Sequence, residues 1–429
     1  MRILHTVEAY YPEVGGMAEV VRQLSERLAA RGHEITVATR SLPGRPFPAS
    51  GKVKIVDFPV AGNLARGLTG EVDAYRAFLL AGGFDVVTAF AAQQWTTDAL
   101  LPLLGELPAR KVFVPTGFSG LGQPVYAEYF ASMPGWLKQF DKLVFCGTSC
   151  RDAVFARRFG LTNTEVIPNG AAADEFLGEY QDDLRRKLAI PENHFLVLHV
   201  GSHTWLKGHS EVIEIFARAA ILAATLLLIG NGTGGCFDEC SSRAKKLNSS
   251  RKFRSADKRI LLADLNRAET VACFKSADLF LFPSAIECSP IVLFESMASR
   301  TPFMTTDVGN AREIVDWSGG GVMLPTRCNN DLNFPGRVML NKYRDLGECL
   351  GWRTFSPLDS FARADVPASA TLLTSLWHNP SRRLELAESG FRAWDERFTW
   401  ERITLSYEAL YQDLLQELNV GKNEVGEPG

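Results

Sequence analysis

Two doubly wound α/β units, each built on a parallel sheet, are the fold this sequence predicts. Three observations predict it. The chain opens as strand, glycine-bearing loop, helix and strand, a start that joins neighbouring parallel strands. A second series of the same kind begins after Pro168-Asn169-Gly170. At 429 residues the chain is also too long for one core, so two or three domains are expected.

The elements follow in order. Arg2–Val7 is the first strand, and Tyr10–Gly16 is a loop carrying Pro12, Gly15 and Gly16. Ala18–Arg31 puts Val20, Val21, Leu24 and Leu28 on one helical face, and Gly32 closes it. Glu34–Thr39 is the second strand, and Asp85–Ala89, Lys111–Pro115 and Lys142–Cys146 read as further buried strands. In the second unit Phe195–Val200 is a strand, Gly201–Gly208 a loop, Ser210–Ala220 a helix and Thr225–Ile229 a strand. Ile260–Leu262, Leu279–Phe282 and Pro302–Thr305 are additional strands, and Val292–Ser299 is a helix. Thr326–Ala364 is the least patterned stretch and reads as a functional loop or a mobile one. Trp400–Leu418 closes the pattern as an amphipathic helix with Trp400, Tyr407 and Tyr411. The expected domains are 1–172 and 173–396, then the terminal helix over 397–419 and a disordered tail over 420–429.

Composition narrows the function classes. Hydrophobic residues make up 46% and charged ones 22%, as in ordinary globular domains. The formal net charge of −3 argues against a nucleic-acid partner. Met1–Val7 opens as a strand with no cleavage-site pattern behind it, so a cytoplasmic location is expected. The longest apolar run, Ala219–Ile229, is far short of a membrane span. Eight cysteines are too few for a disulfide scaffold. Cys146 with Cys150, and Cys236 with Cys240, have three-residue gaps and no histidine close in sequence, so no metal site is expected.

Residues 282–313, FPSAIECSPIVLFESMASRTPFMTTDVGNARE, carry the chemistry. Glu287 sits in a loop after an apolar strand, and Glu295 sits in the helix that follows. A loop turning into a helix aims free backbone N–H groups at whatever lies above it. With a carboxylate at each end, such a place suits a diphosphate flanked by hydroxyls, which is the shape of a nucleotide-sugar. An acid–nucleophile pair is the rival. Eight residues of helix rise ~12 Å, whereas such pairs in retaining glycosidases stand ~5 Å apart. The two carboxylates therefore suit the two ends of one ligand. The plainer alternative is a helix-start charge and a surface glutamate.

The ordered set Pro283, Ser284, Glu287, Glu295, Pro302, Gly309, Asn310 and Glu313 resembles the retaining glycosyltransferases of the GT-B fold, family 4, also called glycosyl transferases group 1. His5, Tyr11, Pro12, Gly15 and Gly16 through Arg31-Gly32-His33-Glu34, and the Pro168-Asn169-Gly170 turn, extend the resemblance over most of the chain. It implies two Rossmann-like domains facing across a cleft, with the terminal helix crossing back to the first. It also implies retaining transfer of a hexose from a nucleoside-diphosphate sugar to an acceptor hydroxyl, with no metal and no other cofactor. Polysaccharide or glycoconjugate biosynthesis is the family's setting, with a glycan or a lipid-linked acceptor.

The resemblance also assigns roles. Lys207 and Glu287 become the catalytic pair, Lys207 for the departing diphosphate and Glu287 for hydroxyls of the transferred sugar. Glu295 would hold the ribose hydroxyls, and Gly230 and Asn231 would lie at the nucleobase end. Gly15 and Gly16 would let backbone approach the diphosphate or the acceptor. The Ser289-Pro290-Ile291 backbone would face sugar and phosphates, although Pro290 has no N–H to give. Two departures stand out. Ser202 occupies a position where arginine is usual, with a protonated His203 as a substitute. Gly117 stands where a histidine is frequent, with Gln93, Gln94 and Ser119 as stand-ins. They motivate an alternative, a catalytically weakened GT-B protein that binds nucleotide-sugar or glycan as a partner or scaffold.

Two features lie outside the motif. Tyr126, Tyr129, Phe130, Met133, Trp136, Leu137 and Phe140 recur at helical spacing, which fits core packing or a peripheral contact at the inner membrane face. Arg243–Arg259 holds eight basic residues against one acid, which fits a solvated face or an anionic partner.

Overall fold

The computed structural model describes residues 1–13, 15–45, 51–178, 184–327 and 362–424. The described chain divides into two compact units. The first comprises Met1–Asn169 and the terminal helix from Trp400, and the second comprises the described residues between 170 and 399.

In the first unit seven parallel strands run in the order β3-β2-β1-β6-β7-β8-β9. They are β1 (Arg2–Thr6), β2 (Glu34–Arg40), β3 (Val53–Phe58), β6 (Val86–Phe90), β7 (Arg110–Val114), β8 (Lys142–Phe145) and β9 (Thr164–Val166). A small antiparallel hairpin, β4 (Val60–Asn63) and β5 (Gly67–Gly70), branches off beyond β3. β1, β6, β7 and β8 are almost wholly buried, which is why their sequences read as short apolar runs without alternation. β3 and β9 were not legible in that way. They are edge strands, and β9 is exposed along its whole length, so no apolar run marks it.

The second unit has six parallel strands in the order β12-β11-β10-β13-β14-β15. They are β10 (Phe195–Val200), β11 (Ala224–Ile229), β12 (Lys258–Ala263), β13 (Leu279–Phe282), β14 (Phe303–Thr305) and β15 (Gly321–Met323). Apolar side chains cover both faces. Val212, Ile213, Phe216 and Leu373 lie in one cluster, and Phe274, Leu293, Phe294 and Trp394 lie in the other. Gly321 begins β15, and an added Cβ there would meet the Phe303 ring and carbonyl.

The terminal helix spans Trp400–Glu424, beyond the expected end at Leu418. The tail expected from residue 420 is therefore helical at its start, because each further residue of a formed helix adds a backbone bond. Residues 425–429 lie outside those described. This helix lies along the helix Gly16–Ala30: Glu408 accepts from Arg31 at 2.7 Å and pairs with His33 at 2.7 Å. The aromatic residues Tyr126, Tyr129, Phe130 and Phe140 are all less than a tenth exposed, with Met133 and Leu137 fully buried. Core packing accounts for these six residues of the stripe, and Trp136 is half-buried. Among the described residues no helix is long and apolar enough to cross a membrane. The insertion Thr326–Ala364 lies almost wholly outside the described residues, although its two ends bridge each other.

His5, on β1, links this packing to pH. Its ring is fully buried, with Nδ1 2.8 Å from the Ser25 hydroxyl and Nε2 3.4 Å from that of Tyr411. Burial lowers its pKa from 6.5 to about 3. The unfolded chain therefore takes up the proton first as pH falls. The stability this neutral ring confers is intact above pH 6.5 and drains away towards pH 3. By pH 5 the loss is about 2 kcal/mol. Between pH 7 and pH 5, His5→Asn should lose about that much less than the native chain in urea unfolding.

Candidate active site

Sheet order locates the site in the second unit. β10 lies between β11 and β13, so the chain leaves β10 to one side and β13 to the other. Open α/β sheets bind ligands at the carboxyl ends of strands where the order reverses in this way. The two segments that meet there are the loop 201–208 after β10 and the loop 283–290 after β13. The backbone ties them together, because Ala285 N donates to Leu206 O at 2.8 Å.

Lys207 comes from the first loop and Glu287 from the second. The Lys207 ammonium donates to Glu287 Oε1 at 2.6 Å. The same oxygen lies 2.8 Å from the Ser284 hydroxyl. The Glu287 side chain is only 10% exposed, while that of Lys207 is 31% exposed. Two partly buried groups of opposite charge thus sit together at the strand ends.

Glycine makes the approach of these loops possible. Gly208 has φ +76°, and a Cβ there would stand 2.1 Å from the Pro283 carbonyl oxygen. Gly309 has φ +56°, and its Cβ would meet the carbonyl oxygen of Cys288 at 2.0 Å. The obstacle in both cases is backbone, which cannot swing aside. Gly208→Ala should therefore cost about 1–3 kcal/mol in thermal unfolding and part the Lys207–Glu287 pair.

Glu295 lies on the helix Ile291–Ala298, whose N-cap is Pro290. The residue is 3% exposed, and its Oε1 accepts from Arg267 Nη1 at 2.5 Å. Arg267 also donates to Glu175 Oε2 through Nε at 2.9 Å. Glu295 is therefore a buried, paired carboxylate rather than the surface glutamate of the plainer reading. Pro290 lacks an N–H and Leu293 N bonds to the Pro290 carbonyl, so Ile291 and Val292 carry the open amides of the first turn. Ser289 is half-buried one residue ahead of that cap.

The other expected donor residues take definite places. Ser202 is exposed and brings no charge to its loop. Gly230 lies against Gly201, where a Cβ would stand 2.3 Å from the Gly201 carbonyl oxygen, so close strand-end packing already requires glycine. Asn231 Oδ1 accepts from His203 N at 2.8 Å, which fastens the 201–208 loop to the end of β11. His203 stacks on His209 with ring centroids 4.0 Å apart. Burial lowers the pKa of His203, so it does not supply the cation that Ser202 lacks. His199 beneath them is held neutral as well, lowered to about 4 by burial.

In the first unit Gly15 caps the helix that begins at Gly16, and among the described residues, its chain neighbours aside, nothing lies within 4 Å of the place of its missing Cβ. Gln93 and Gln94 are engaged in structure. Gln93 Oε1 accepts from Gly120 N at 2.8 Å, and Gln94 Oε1 accepts from Glu8 N at 3.1 Å. The Ser119 hydroxyl is 3.4 Å from Gln93 Oε1. Gly117 N donates to the buried Asp152 at 2.8 Å. Thr116, Gly117 and Phe118 all have positive φ, a strained run at the carboxyl end of β7.

Sequence reasoning missed three partners. Arg267 opens a separate helix, Arg267–Ser276, and nothing near it in sequence points to Glu295. The Ser284 hydroxyl was within reach, since its residue was already part of the motif. His203 was the third: the fold brings it beside Cys236 and Cys240, from which it is remote in sequence.

The family model for glycosyl transferases group 1 matches residues 180–332, and the model for glycosyltransferase family 4 matches residues 14–175. An uncharacterized glycosyltransferase of Methanocaldococcus jannaschii is 22% identical over 386 residues, 82% of this chain and 95% of that protein. Among solved structures, sucrose-phosphate synthase from Thermosynechococcus elongatus has a TM-score of 0.72 at 20% identity, covering 97% of this chain and 99% of that one. Anabaena HepE, solved in complex with UDP and glucose, has a TM-score of 0.68 at 14% identity, covering 96% of this chain and 100% of its own.

Proposed function

Because the chain belongs to the group 1 glycosyltransferases and has the GT-B fold, we propose that it transfers a hexose from a nucleoside-diphosphate sugar to an acceptor hydroxyl, retaining the anomeric configuration. The observation that carries this reading is the Lys207–Glu287 pair, held at 2.6 Å where the sheet order reverses. A diphosphate placed over the open amides of Ile291 and Val292 would bring its negative charge to the Lys207 ammonium. Glu287 would then accept from sugar hydroxyls, and Glu295, one turn further into the helix, from ribose hydroxyls. Charge builds on the departing diphosphate in the transition state. A fixed ammonium and fixed backbone dipoles favour it there more than in the ground state. In this reading the Lys207 ammonium and the backbone amides take the place of a metal in the transfer step. The acceptor in this reading is a glycan or a lipid-linked hydroxyl in polysaccharide or glycoconjugate assembly.

The test is calorimetric titration of the purified chain with UDP, GDP, ADP and their hexose conjugates, in the presence of a chelator. One diphosphate should bind selectively, and transfer from its sugar conjugate should give a product with the donor's anomeric configuration by NMR. Inversion would refute the retaining step, and a strict need for a divalent ion would refute the metal-free one. The exposed Ser202 and the neutral His203 leave Lys207 as the sole charged cation of the 201–208 loop. That observation favours a second reading, a weakened relative that binds the nucleotide-sugar as a partner or scaffold. Selective binding without turnover over a broad panel of glycan and lipid acceptors would select it.

A further inference from the structure

We propose that His203, Cys236 and Cys240 form a zinc site that fastens the 201–208 loop to the helix Gly235–Asn248. A ring nitrogen of His203 and both sulfurs lie within 4.8 Å of one another. All three residues are buried: His203 is 8%, Cys236 2% and Cys240 4% exposed. Cys236 and Cys240 are four apart on the helix, so their sulfurs share one face, as the two ligands of a helical metal motif do. Both are free thiols. Among the described residues nothing hydrogen-bonds the buried Nδ1 of His203, which costs free energy unless something occupies its lone pair or takes its proton.

The chemistry of this donor set is specific. Two thiolates and an imidazole are the ligands of a tetrahedral zinc ion, at about 2.3 Å for sulfur and 2.0 Å for nitrogen. Those lengths place the donors about 3.5–3.8 Å apart, so the three groups need close in by only about an ångström. Binding would release two thiol protons for one Zn²⁺, giving a neutral centre suited to a buried place. Burial raises the pKa of both thiols, so the ion itself would have to displace their protons. Beside the two thiols opens a small cavity of about 10 Å³, bordered by Trp205, Ser210, Glu239 and Arg243. It has room for about one water, which would complete the coordination.

The consequence for activity rests on the reading of Lys207 as the diphosphate ligand. His203 and Lys207 share one short loop, so an ion at His203 would limit how far Lys207 can move. The site itself is tested without that reading. Cobalt(II) added to the metal-free full chain should give one equivalent of binding, with thiolate-to-cobalt charge transfer and the visible bands of a tetrahedral ion. Zinc should displace it and shield two thiols from alkylation, mapped by mass spectrometry to Cys236 and Cys240. Cys236→Ser and Cys240→Ser should each lower zinc affinity at least about 100-fold, His203→Ala should shift the cobalt bands, and Cys146→Ser should change nothing. Absence of the charge-transfer band in the native chain, or equal alkylation of Cys236 and Cys240 with and without zinc, would overturn the site. If cobalt binds as described but zinc leaves diphosphate affinity unchanged, the site stands and its link to Lys207 falls.

Discussion

Lys207→Ala should lower turnover by about 10²–10³-fold while changing the donor KM by less than tenfold. In the proposed reading the ammonium, the charged cation of the 201–208 loop, would face the position where a leaving diphosphate gains charge. Its loss therefore falls mainly on the transition state. The same ammonium also neutralises Glu287, whose side chain is only 10% exposed. Removing it leaves Glu287 with the Ser284 hydroxyl as donor, and the carboxylate no longer balanced. Part of the effect would thus come through Glu287, so Lys207→Ala and Glu287→Gln should be clearly non-additive in kcat. Lys207→Arg keeps the charge but not its point-like geometry, and should recover only part of the rate. Steady-state kinetics with a saturating acceptor separates these outcomes. A loss of thermal stability with kcat unchanged would make the pair a structural ion bridge and nothing more.

How much of this could be read from the chain differs from element to element. The central strands were legible because burial on both faces writes an uninterrupted apolar run, as in Leu279–Phe282. Edge strands such as Thr164–Val166 leave no such mark. Lys207 and Glu287 could be singled out one at a time, each by a local motif, but not as a contact. Eighty positions separate them, and only the reversal of strand order between β10 and β13 brings their loops together. Gly230 shows the opposite limit: its glycine was legible, but the cause is the neighbouring Gly201 carbonyl, which no local pattern encodes. The Arg267–Glu295 pair and the meeting of His203 with two cysteines are products of tertiary packing in the same sense.

Glu295→Gln should weaken binding of the nucleoside diphosphate by about 100-fold, and the loss should be confined to ligands that carry ribose hydroxyls. A hydrogen bond to an ionised group contributes about 1.5–3 kcal/mol, so a carboxylate gripping the ribose diol would account for a loss of that size. The native chain should accordingly bind the 2′,3′-dideoxy form of the same diphosphate far less tightly, and Glu295→Gln should bind both forms alike. The comparison matters because Glu295 is already engaged: it is 3% exposed and accepts from Arg267. Removing its charge frees Arg267, which keeps Glu175 as a partner and is 39% exposed, so the structural cost should be modest. Arg267→Ala provides the converse. If Arg267 only orients the carboxylate, its loss should weaken the diol-bearing ligand by less than Glu295→Gln does and leave the dideoxy ligand untouched. If instead Glu295 serves only to hold Arg267 and Glu175 together, both variants would lower stability and neither would distinguish the two ligands. Equal affinity of the native chain for the two ligands would remove Glu295 from the donor site.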